Sequence, residues 1–179
     1  IVLLMLAGLG LFDATVHTFG TVATGGFGVK NASIGHYQNA AVEWIIATFM
    51  ILSGMNFTLH FRALSGKPGA VFRDEEFRVY AFVILCASAI IGVDLLGAGW
   101  KPDLAARDSV FQVASIITTT GYASDNFALW PALSRAVLVL LMFVGGCAGS
   151  TGGGIKVVRL VALFKMARNE LRLASRPRG

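Results

Sequence analysis

Long apolar stretches alternate with short polar segments along this chain of 179 residues. Residues 39–61 and 79–99 are apolar over about the 20 residues that a membrane-crossing helix needs, so we predict a spanning helix in each. Residues 1–12 are apolar but too short to span, and we interpret them as the end of a truncated spanning helix. Residues 130–144 are also apolar, and 155–173 form a predicted amphipathic, basic helix after a glycine-rich interruption. This pattern predicts an all-α membrane protein.

Two short segments of mixed polarity lie between the apolar stretches, and each runs into a Gly/Thr turn. We predict short helices over 13–23 and 102–117. The turns that follow, residues 24–28 and 118–122, are not expected to be helical, because glycine is costly in a helix. Backbone that is neither helix nor barrel is tolerated at membrane depth only inside protein or beside water. The two turns therefore predict a lined cavity.

The order of elements occurs twice: helix, short helix, Gly/Thr turn, helix. A shift of 95 positions superimposes the two copies, and the shared order argues against coincidence. We therefore predict tandem helix–pore-loop–helix repeats with re-entrant selectivity-filter loops. Asp13 and Asp108 stand where we expect N-caps of the short helices, adding negative field at the outer mouth. The paired positions are Asp13 and Asp108, Thr24 and Thr119, Gly26 and Gly121, Phe27 and Tyr122, Asn31 and Asn126, and, after a gap of three residues, Met50 and Met142 and Gly54 and Gly146.

Composition and charge support a membrane location and predict an orientation. Apolar residues make up 55% of the chain and charged residues only 14%, against about a quarter in soluble domains. Eleven of the 15 lysines and arginines lie in 62–78 and 155–179, which we place in the cytoplasm, so the net charge of +5 indicates topology. Residues 30–38 and 100–107 are then expected outside. Nucleic acid is not expected as a partner, since the basic residues do not alternate with exposed aromatics.

The predicted helices, loops and cytoplasmic segments divide the chain into four parts. The first pore repeat occupies 1–62, and a cytoplasmic linker follows at 63–78. The second pore repeat occupies 79–173 and contains a glycine-rich intramembrane loop at 145–154. A cytoplasmic tail covers 174–179.

The Gly/Thr turns provide the chemistry of a cation pathway. A dehydrated cation needs oxygens, and backbone carbonyls supply them where glycine lets the chain turn them inward. Gly26 and Gly121 are the predicted pivots, threonine hydroxyls add oxygens, and the short helices aim their negative C-terminal ends at the ion. The alternative is that both are ordinary extracellular turns. The candidate filter residues are Thr24, Gly25, Gly26, Thr119, Thr120 and Gly121, with potassium bound at Thr24, Gly25, Thr119 and Thr120.

A second glycine-rich run interrupts the apolar stretch before the basic helix. Six of the ten residues from Gly145 to Gly154 are glycine, so we expect a loop at membrane depth just cytoplasmic to the filter. We predict that this loop closes the pathway and moves when a cytosolic partner pulls the helix that begins at Ile155. A glycine hinge that merely kinks the helix is the alternative. The predicted gate residues are Gly145, Gly146, Gly149, Gly152, Gly153 and Gly154.

Three segments resemble a known family. Thr21–Phe27 and Ser115–Tyr122 resemble two filters of the Trk/Ktr/HKT potassium-transporter superfamily, and Gly145–Lys156 resembles the intramembrane loop of its bacterial TrkH-type members. The resemblance covers essentially the whole chain. It implies four repeats around one pore, of which this chain holds the second and third. It also implies potassium uptake across the bacterial inner membrane, a homodimer, and a cytosolic nucleotide-binding regulatory subunit.

The sequence leaves two alternatives to a potassium pathway. The first is a sodium-permeable or sodium-coupled member of the same superfamily. The second is a non-conducting membrane scaffold that uses glycine for helix packing. An enzyme is not expected, since no nucleophile–base pair or metal cluster stands out. No covalently bound cofactor is predicted; potassium is the transported substrate, and membrane lipid surrounds the protein.

Overall fold

The computed structural model describes residues 1–174, and most of these residues are helical. They form nine α-helices and two short 3₁₀ helices, the latter at Ser33–Tyr37 and Phe127–Leu129. Residues 175–179, most of the predicted tail, lie outside the described part of the chain. In chain order the α-helices are α1 (Val2–Leu6), α2 (Leu11–Val22), α3 (Ala40–Ser53), α4 (Phe57–Leu64), α5 (Gly69–Arg73), α6 (Glu75–Gly97), α7 (Pro102–Ile117), α8 (Ala132–Leu141) and α9 (Val157–Ala174).

Side-chain caps explain where two of the long helices begin. The Asp74 carboxylate accepts from the Phe77 amide at 2.8 Å, so α6 starts at Glu75 rather than at the predicted residue 79. The Asn39 side chain caps α3 in the same way. A cap satisfies amides that have no partner inside the helix, and it sets the first residue of the spanning segment.

The predicted capping role of Asp13 and Asp108 is wrong. Gly10 and Lys101 occupy the N-cap positions of α2 and α7, and neither caps its helix through a side chain. Asp13 lies in the first turn of α2, where its charge still favours the positive helix end. The helix α7 begins at Pro102, whose fixed φ suits the first helical position. Asp108 therefore lies well inside α7 rather than at its cap, and its side chain is buried.

The predicted single helix over 39–61 is also wrong. The segment forms two helices, α3 and α4, which meet at an angle of 100°. The second has its own start, because the Asn56 side chain caps it. At the break, the Gly54 carbonyl and the Phe57 amide bond to backbone groups of the 145–154 loop, at 2.9 Å and 3.1 Å. A distant segment thus satisfies polar groups that a straight helix would satisfy internally.

The helices pack around two apolar clusters, and α7 contributes to both. One cluster joins α6, α7 and α8, and the other joins α1, α2, α3 and α7. Ile117 belongs to the first cluster and Phe111 to the second, and both side chains are fully buried. Because lipid is as apolar as these side chains, their contacts stabilise the fold through close packing rather than through removal from water. The second short helix therefore lies between the two repeats and holds them together.

The outer surface of the described residues suits a membrane. Among them, α6 is long and apolar enough to cross a bilayer, and the bent pair of α3 and α4 meets the same criterion when taken together. Large apolar side chains project outward from α6, with Phe82, Leu85 and Val93 exposed by 66%, 69% and 69%. A contiguous surface of this kind is unfavourable in water and favourable in lipid.

Candidate functional site

Both α2 and α7 run into a Gly/Thr turn, and we call residues 24–28 the first filter loop and 118–122 the second. After each helix, two successive amides donate to one carbonyl in its last turn, that of Gly20 in α2 and that of Ser115 in α7. The donor–acceptor distances are 2.8 and 3.3 Å in the first loop and 2.9 and 3.3 Å in the second. The two loops are therefore tied to their helices in the same way.

The backbone conformation of the two filter loops is also the same. Thr24 and Thr119 have left-handed φ values of 50° and 57°, and Gly26 and Gly121 have φ values of 66° and 86°. Left-handed backbone is strained for a β-branched residue such as threonine, and strain of this kind concentrates at functional sites. The 95-residue repeat seen in the sequence is thus present in the backbone geometry.

The carbonyl oxygens of the filter loops are the groups that a cation would use. Within residues 1–174, those of Thr24, Gly25, Thr119 and Thr120 accept no hydrogen bond. Thr24 and Thr120 are buried, and carbonyls in a protein interior ordinarily have a partner, whereas Gly25 is exposed. These oxygens can therefore replace the hydration shell of an ion, and the C-terminal ends of α2 and α7 add partial negative charge nearby.

The threonine hydroxyls that we expected to help bind the ion already contact protein groups. The Thr24 hydroxyl donates to the Ala23 carbonyl at 2.8 Å, and the Thr120 hydroxyl lies 2.7 Å from the hydroxyl of Thr118. The Thr119 hydroxyl accepts from a backbone amide of the 145–154 loop at 2.6 Å. These bonds fix the three side chains, and each hydroxyl oxygen keeps a lone pair, so it stays a candidate ligand beside the carbonyls.

The two filter loops touch each other. A Cβ atom at Gly26 would overlap the Thr120 carbonyl oxygen, so the close approach requires glycine. The Tyr122 hydroxyl lies 3.2 Å from the Phe27 carbonyl oxygen and bonds to it. The structure therefore brings all six predicted filter residues into one region.

The loop at 145–154, which we call the gate loop, packs directly against the second filter loop. Its Gly153 amide donates to the Thr119 hydroxyl at 2.6 Å. Its Thr151 hydroxyl donates to the Val22 carbonyl, at the end of α2, at 3.2 Å. The gate loop thus reaches the helix end that leads into the first filter loop as well.

Several positions of the gate loop admit no side chain. A Cβ at Gly145 would overlap the Gly153 carbonyl, and one at Gly146 would lie 2.9 Å from the Gly54 carbonyl oxygen. Gly149 has a left-handed φ of 67°. The loop depends on glycine both for its backbone shape and for its close packing. It contains all of the predicted gate residues, which are Gly145, Gly146, Gly149, Gly152, Gly153 and Gly154.

Two charged residues whose role the sequence analysis missed hold the gate loop. One carboxylate oxygen of Glu76 accepts from the Ala148 amide at 2.6 Å and from the Val158 amide at 3.1 Å. This oxygen therefore connects α6 to the gate loop and to the start of α9. The Lys156 ammonium donates to the Gly152 carbonyl. The sequence shows a carboxylate at the start of an apolar helix, but it does not show a partner 72 positions away.

A chain of polar side chains lies behind the first filter loop. The His17 ring is buried in α2, and its Nε2 atom is 2.9 Å from the Tyr37 hydroxyl. That hydroxyl donates to the Asp13 carboxylate at 2.8 Å. Burial, together with the hydrogen bond to Asp13 and its charge, raises the pKa of Tyr37, so the phenol keeps its proton near neutral pH.

A second polar cluster joins the two repeats. The Arg107 Nε atom of α7 lies 2.6 Å from Oε2 of Glu43 in α3 and 3.8 Å from Oδ1 of Asp108. The Ser124 hydroxyl donates to the Asp108 carboxylate at 3.2 Å and so connects α7 to the segment after the second filter loop. Glu43 and Asp108 are buried, so the single arginine offsets only part of their combined charge.

Comparison with known proteins connects this geometry to cation transport. A family model described as "TrkH: Cation transport protein" matches residues 6–97 and 101–178. The chain is 39% identical over 180 residues to the Trk system potassium uptake protein TrkH of Escherichia coli (strain K12), a match that covers 97% of this chain and 37% of that protein. It is 38% identical over 182 residues to the Trk system potassium uptake protein TrkG of the same strain, covering 100% of this chain and 37% of TrkG.

A solved structure shows the same fold. The crystal structure of the potassium transporter TrkH from Vibrio parahaemolyticus superimposes with a TM-score of 0.94 at 38% identity, over 99% of this chain and 39% of that one. The predicted all-α pore-loop fold and the predicted family resemblance are thus confirmed. The chain spans little more than a third of the length of these relatives.

Proposed function

Because this chain belongs to the TrkH family of cation transport proteins, we propose that it forms part of a protein that takes up potassium across the bacterial inner membrane. Relatives named as potassium uptake proteins support potassium as the transported substrate. The chain contributes two filter loops and a gate loop to the pathway. It acts as a transporter rather than an enzyme.

The observation that supports this proposal best is the set of carbonyl oxygens that accept no hydrogen bond. Thr24, Gly25, Thr119 and Thr120 present these oxygens from two loops of matching geometry. An ion that enters exchanges its water shell for them and is further stabilised by the negative ends of two helices. A membrane scaffold would not need left-handed threonine at two equivalent positions, because that conformation costs stability.

The test uses the full-length protein expressed in bacteria that lack their own potassium uptake systems. We expect growth at low external potassium, and potassium uptake that a similar concentration of sodium does not suppress. Sodium uptake at a comparable rate would support the sodium-permeable alternative instead. A protein that reaches the membrane but moves neither cation would support the scaffold alternative and refute the proposal.

We further propose that the gate loop closes the pathway below the filter and that Glu76 holds it closed. The loop bonds to the Thr119 hydroxyl and to the Val22 carbonyl, so it lies against the second filter loop and the end of α2. Glu76 binds the Ala148 amide in the loop and the Val158 amide at the start of α9 through one oxygen. A movement of α9 would withdraw the Val158 amide from Glu76 and so disturb the carboxylate oxygen that also holds the loop.

A pair of neighbouring glutamates offers a matched test of the gate. Glu76→Ala removes an acceptor shared by two amides, so we expect larger potassium flux in reconstituted full-length protein without any regulatory partner. Glu75→Ala is the control, because Glu75 forms only an exposed ion pair with Lys165, at 2.5 Å, and such pairs contribute little. Equal flux from wild type and Glu76→Ala in protein of equal yield would contradict the role of Glu76.

The resemblance to the superfamily also supports proposals about assembly. We propose that the complete protein is a homodimer whose gate responds to a cytosolic nucleotide-binding subunit. The helix α9 is the element through which such a subunit would act, since it adjoins the gate loop and is charged and largely exposed. Its exposed apolar side chains include Leu163 and Phe164.

A further inference from the structure

The aromatic residues at equivalent positions of the two filter loops have very different surroundings. Tyr122 of the second loop is fully buried, whereas Phe27 of the first is 83% exposed. The Tyr122 ring packs within the apolar cluster that joins α1, α2 and α3 of the first repeat to α7. This side chain therefore connects one filter loop to the repeat that contains the other.

The Tyr122 hydroxyl occupies a niche built by the first repeat. Its oxygen lies 3.2 Å from the Phe27 carbonyl oxygen and 3.4 Å from the His17 Nδ1 atom. Gly20 opens the niche, because a Cβ there would overlap the hydroxyl. On the other side, a Cβ at Gly28 would lie 3.0 Å from the His17 ring, so the ring also packs closely against the chain beyond Phe27.

Tyr122 is held equally firmly in its own repeat. The Ser115 hydroxyl of α7 donates to the Tyr122 carbonyl at 2.6 Å. The backbone of Tyr122 is thus bonded to α7, while its side chain is bonded to α2 and to the first filter loop. Since the ring between the two ends is rigid, the residue sets the distance between the two filter loops.

The directions of the hydrogen bonds form one consistent chain. The single proton of the Tyr37 hydroxyl goes to Asp13, so the bond between Tyr37 and His17 must use a proton on Nε2 of the histidine. In the neutral ring Nδ1 of His17 is then an acceptor, and the Tyr122 hydroxyl is the donor, with three acceptors in reach: that nitrogen, the Phe27 carbonyl and, at 3.5 Å, the His17 carbonyl. The chain ends on a carboxylate, which strengthens it.

We propose that Tyr122 and His17 are positioning residues that determine ion selectivity by holding the two filter loops at a fixed spacing. Selectivity depends on where the cage of carbonyls sits around the ion. The Thr120 carbonyl belongs to the same short segment as Tyr122 and faces Gly26 of the first loop. A shift of Tyr122 therefore moves candidate ligands directly. This inference rests on the proposed function of the filter loops.

The test is Tyr122→Phe in the full-length protein, reconstituted in lipid vesicles. The substitution removes one hydroxyl, keeps the ring, and makes the second loop match the first at this position. We expect the ratio of potassium to sodium permeability to fall about two- to tenfold, which corresponds to the loss of one buried hydrogen bond, while potassium flux persists. His17→Leu should lower the same ratio. The permeability ratio of the double variant should be no lower than that of the more affected single variant, since both substitutions break the same contact between the filter loops.

Tyr80→Phe is the matched control. Tyr80 is also fully buried, and its hydroxyl also bonds to a backbone carbonyl, that of Ile51, at 3.1 Å, but within residues 1–174 it has no hydrogen bond to either filter loop. Its permeability ratio should equal that of wild type. A wild-type ratio in both Tyr122→Phe and His17→Leu, or an equal fall in Tyr80→Phe, would overturn the inference while leaving the proposed function intact. A wild-type protein without selective potassium flux would overturn both.

Discussion

Gly26 is the filter position at which a single methyl group should have the clearest effect. Its φ of 66° costs an L-residue about 1–2 kcal/mol. A Cβ there would also overlap the Thr120 carbonyl oxygen, and overpacking of this kind typically costs about 1–3 kcal/mol. Gly26→Ala should therefore destabilise the contact between Gly26 and Thr120, which joins the two filter loops, by about 2–5 kcal/mol. We expect the two loops to separate and selective potassium uptake to fall sharply.

Gly25→Ala provides the comparison for this prediction. Gly25 lies outside the left-handed region, and a Cβ there would meet only the Phe27 ring, at 3.6 Å, which is an ordinary contact. The equivalent residue of the second loop is Thr120, so this backbone position accepts a side chain. The Gly25 carbonyl also remains in place. We therefore expect a much smaller loss of uptake than in Gly26→Ala.

Both variants should be measured in the full-length protein, by potassium uptake at low external concentration with and without competing sodium. The melting temperature of the purified protein separates a local change from unfolding, because the strain falls on the filter loops rather than on the apolar clusters. If Gly26→Ala keeps wild-type uptake and preference, or if Gly25→Ala is equally damaging, the proposed close contact does not shape the pathway.

Two further substitutions test the connections around the filter. Thr119→Val keeps the side-chain shape but removes the acceptor of a gate-loop amide, so potassium leak through the closed protein should increase. Thr24→Val is the control, because the Thr24 hydroxyl bonds to the adjacent carbonyl, and it should leak less than Thr119→Val. Equal leak in these two variants would argue against the contact between filter and gate. Glu43→Ala removes the nearest partner of Arg107 but leaves Asp108 at 3.8 Å, so it should destabilise the protein by about 1.5–3 kcal/mol, less than for a buried charge left alone. An unchanged melting temperature would refute that estimate.

The sequence by itself determined the elements whose causes are local. Apolar length predicts the spanning helix α6, and the cost of glycine in a helix predicts both filter loops and the gate loop. The helix predicted over 102–117 has the bounds observed for α7. The 95-residue offset also predicts matching filter loops, and the φ values at Thr24 and Thr119 agree with it. These features follow from composition and periodicity over short stretches of chain.

Only the tertiary structure decided which distant groups meet. The apolar run at 39–61 has the length of one spanning helix, and Ser53, Gly54 and Asn56 at the break do not by themselves predict a bend of 100°. The sequence offset does pair Gly54 with Gly146, but the bend becomes visible only when the gate loop supplies backbone partners there. The contacts of Glu76 with the gate loop and of His17 with Tyr122 join residues 72 and 105 positions apart. Such pairs depend on how the helices pack together, and local propensity contains no information about that packing.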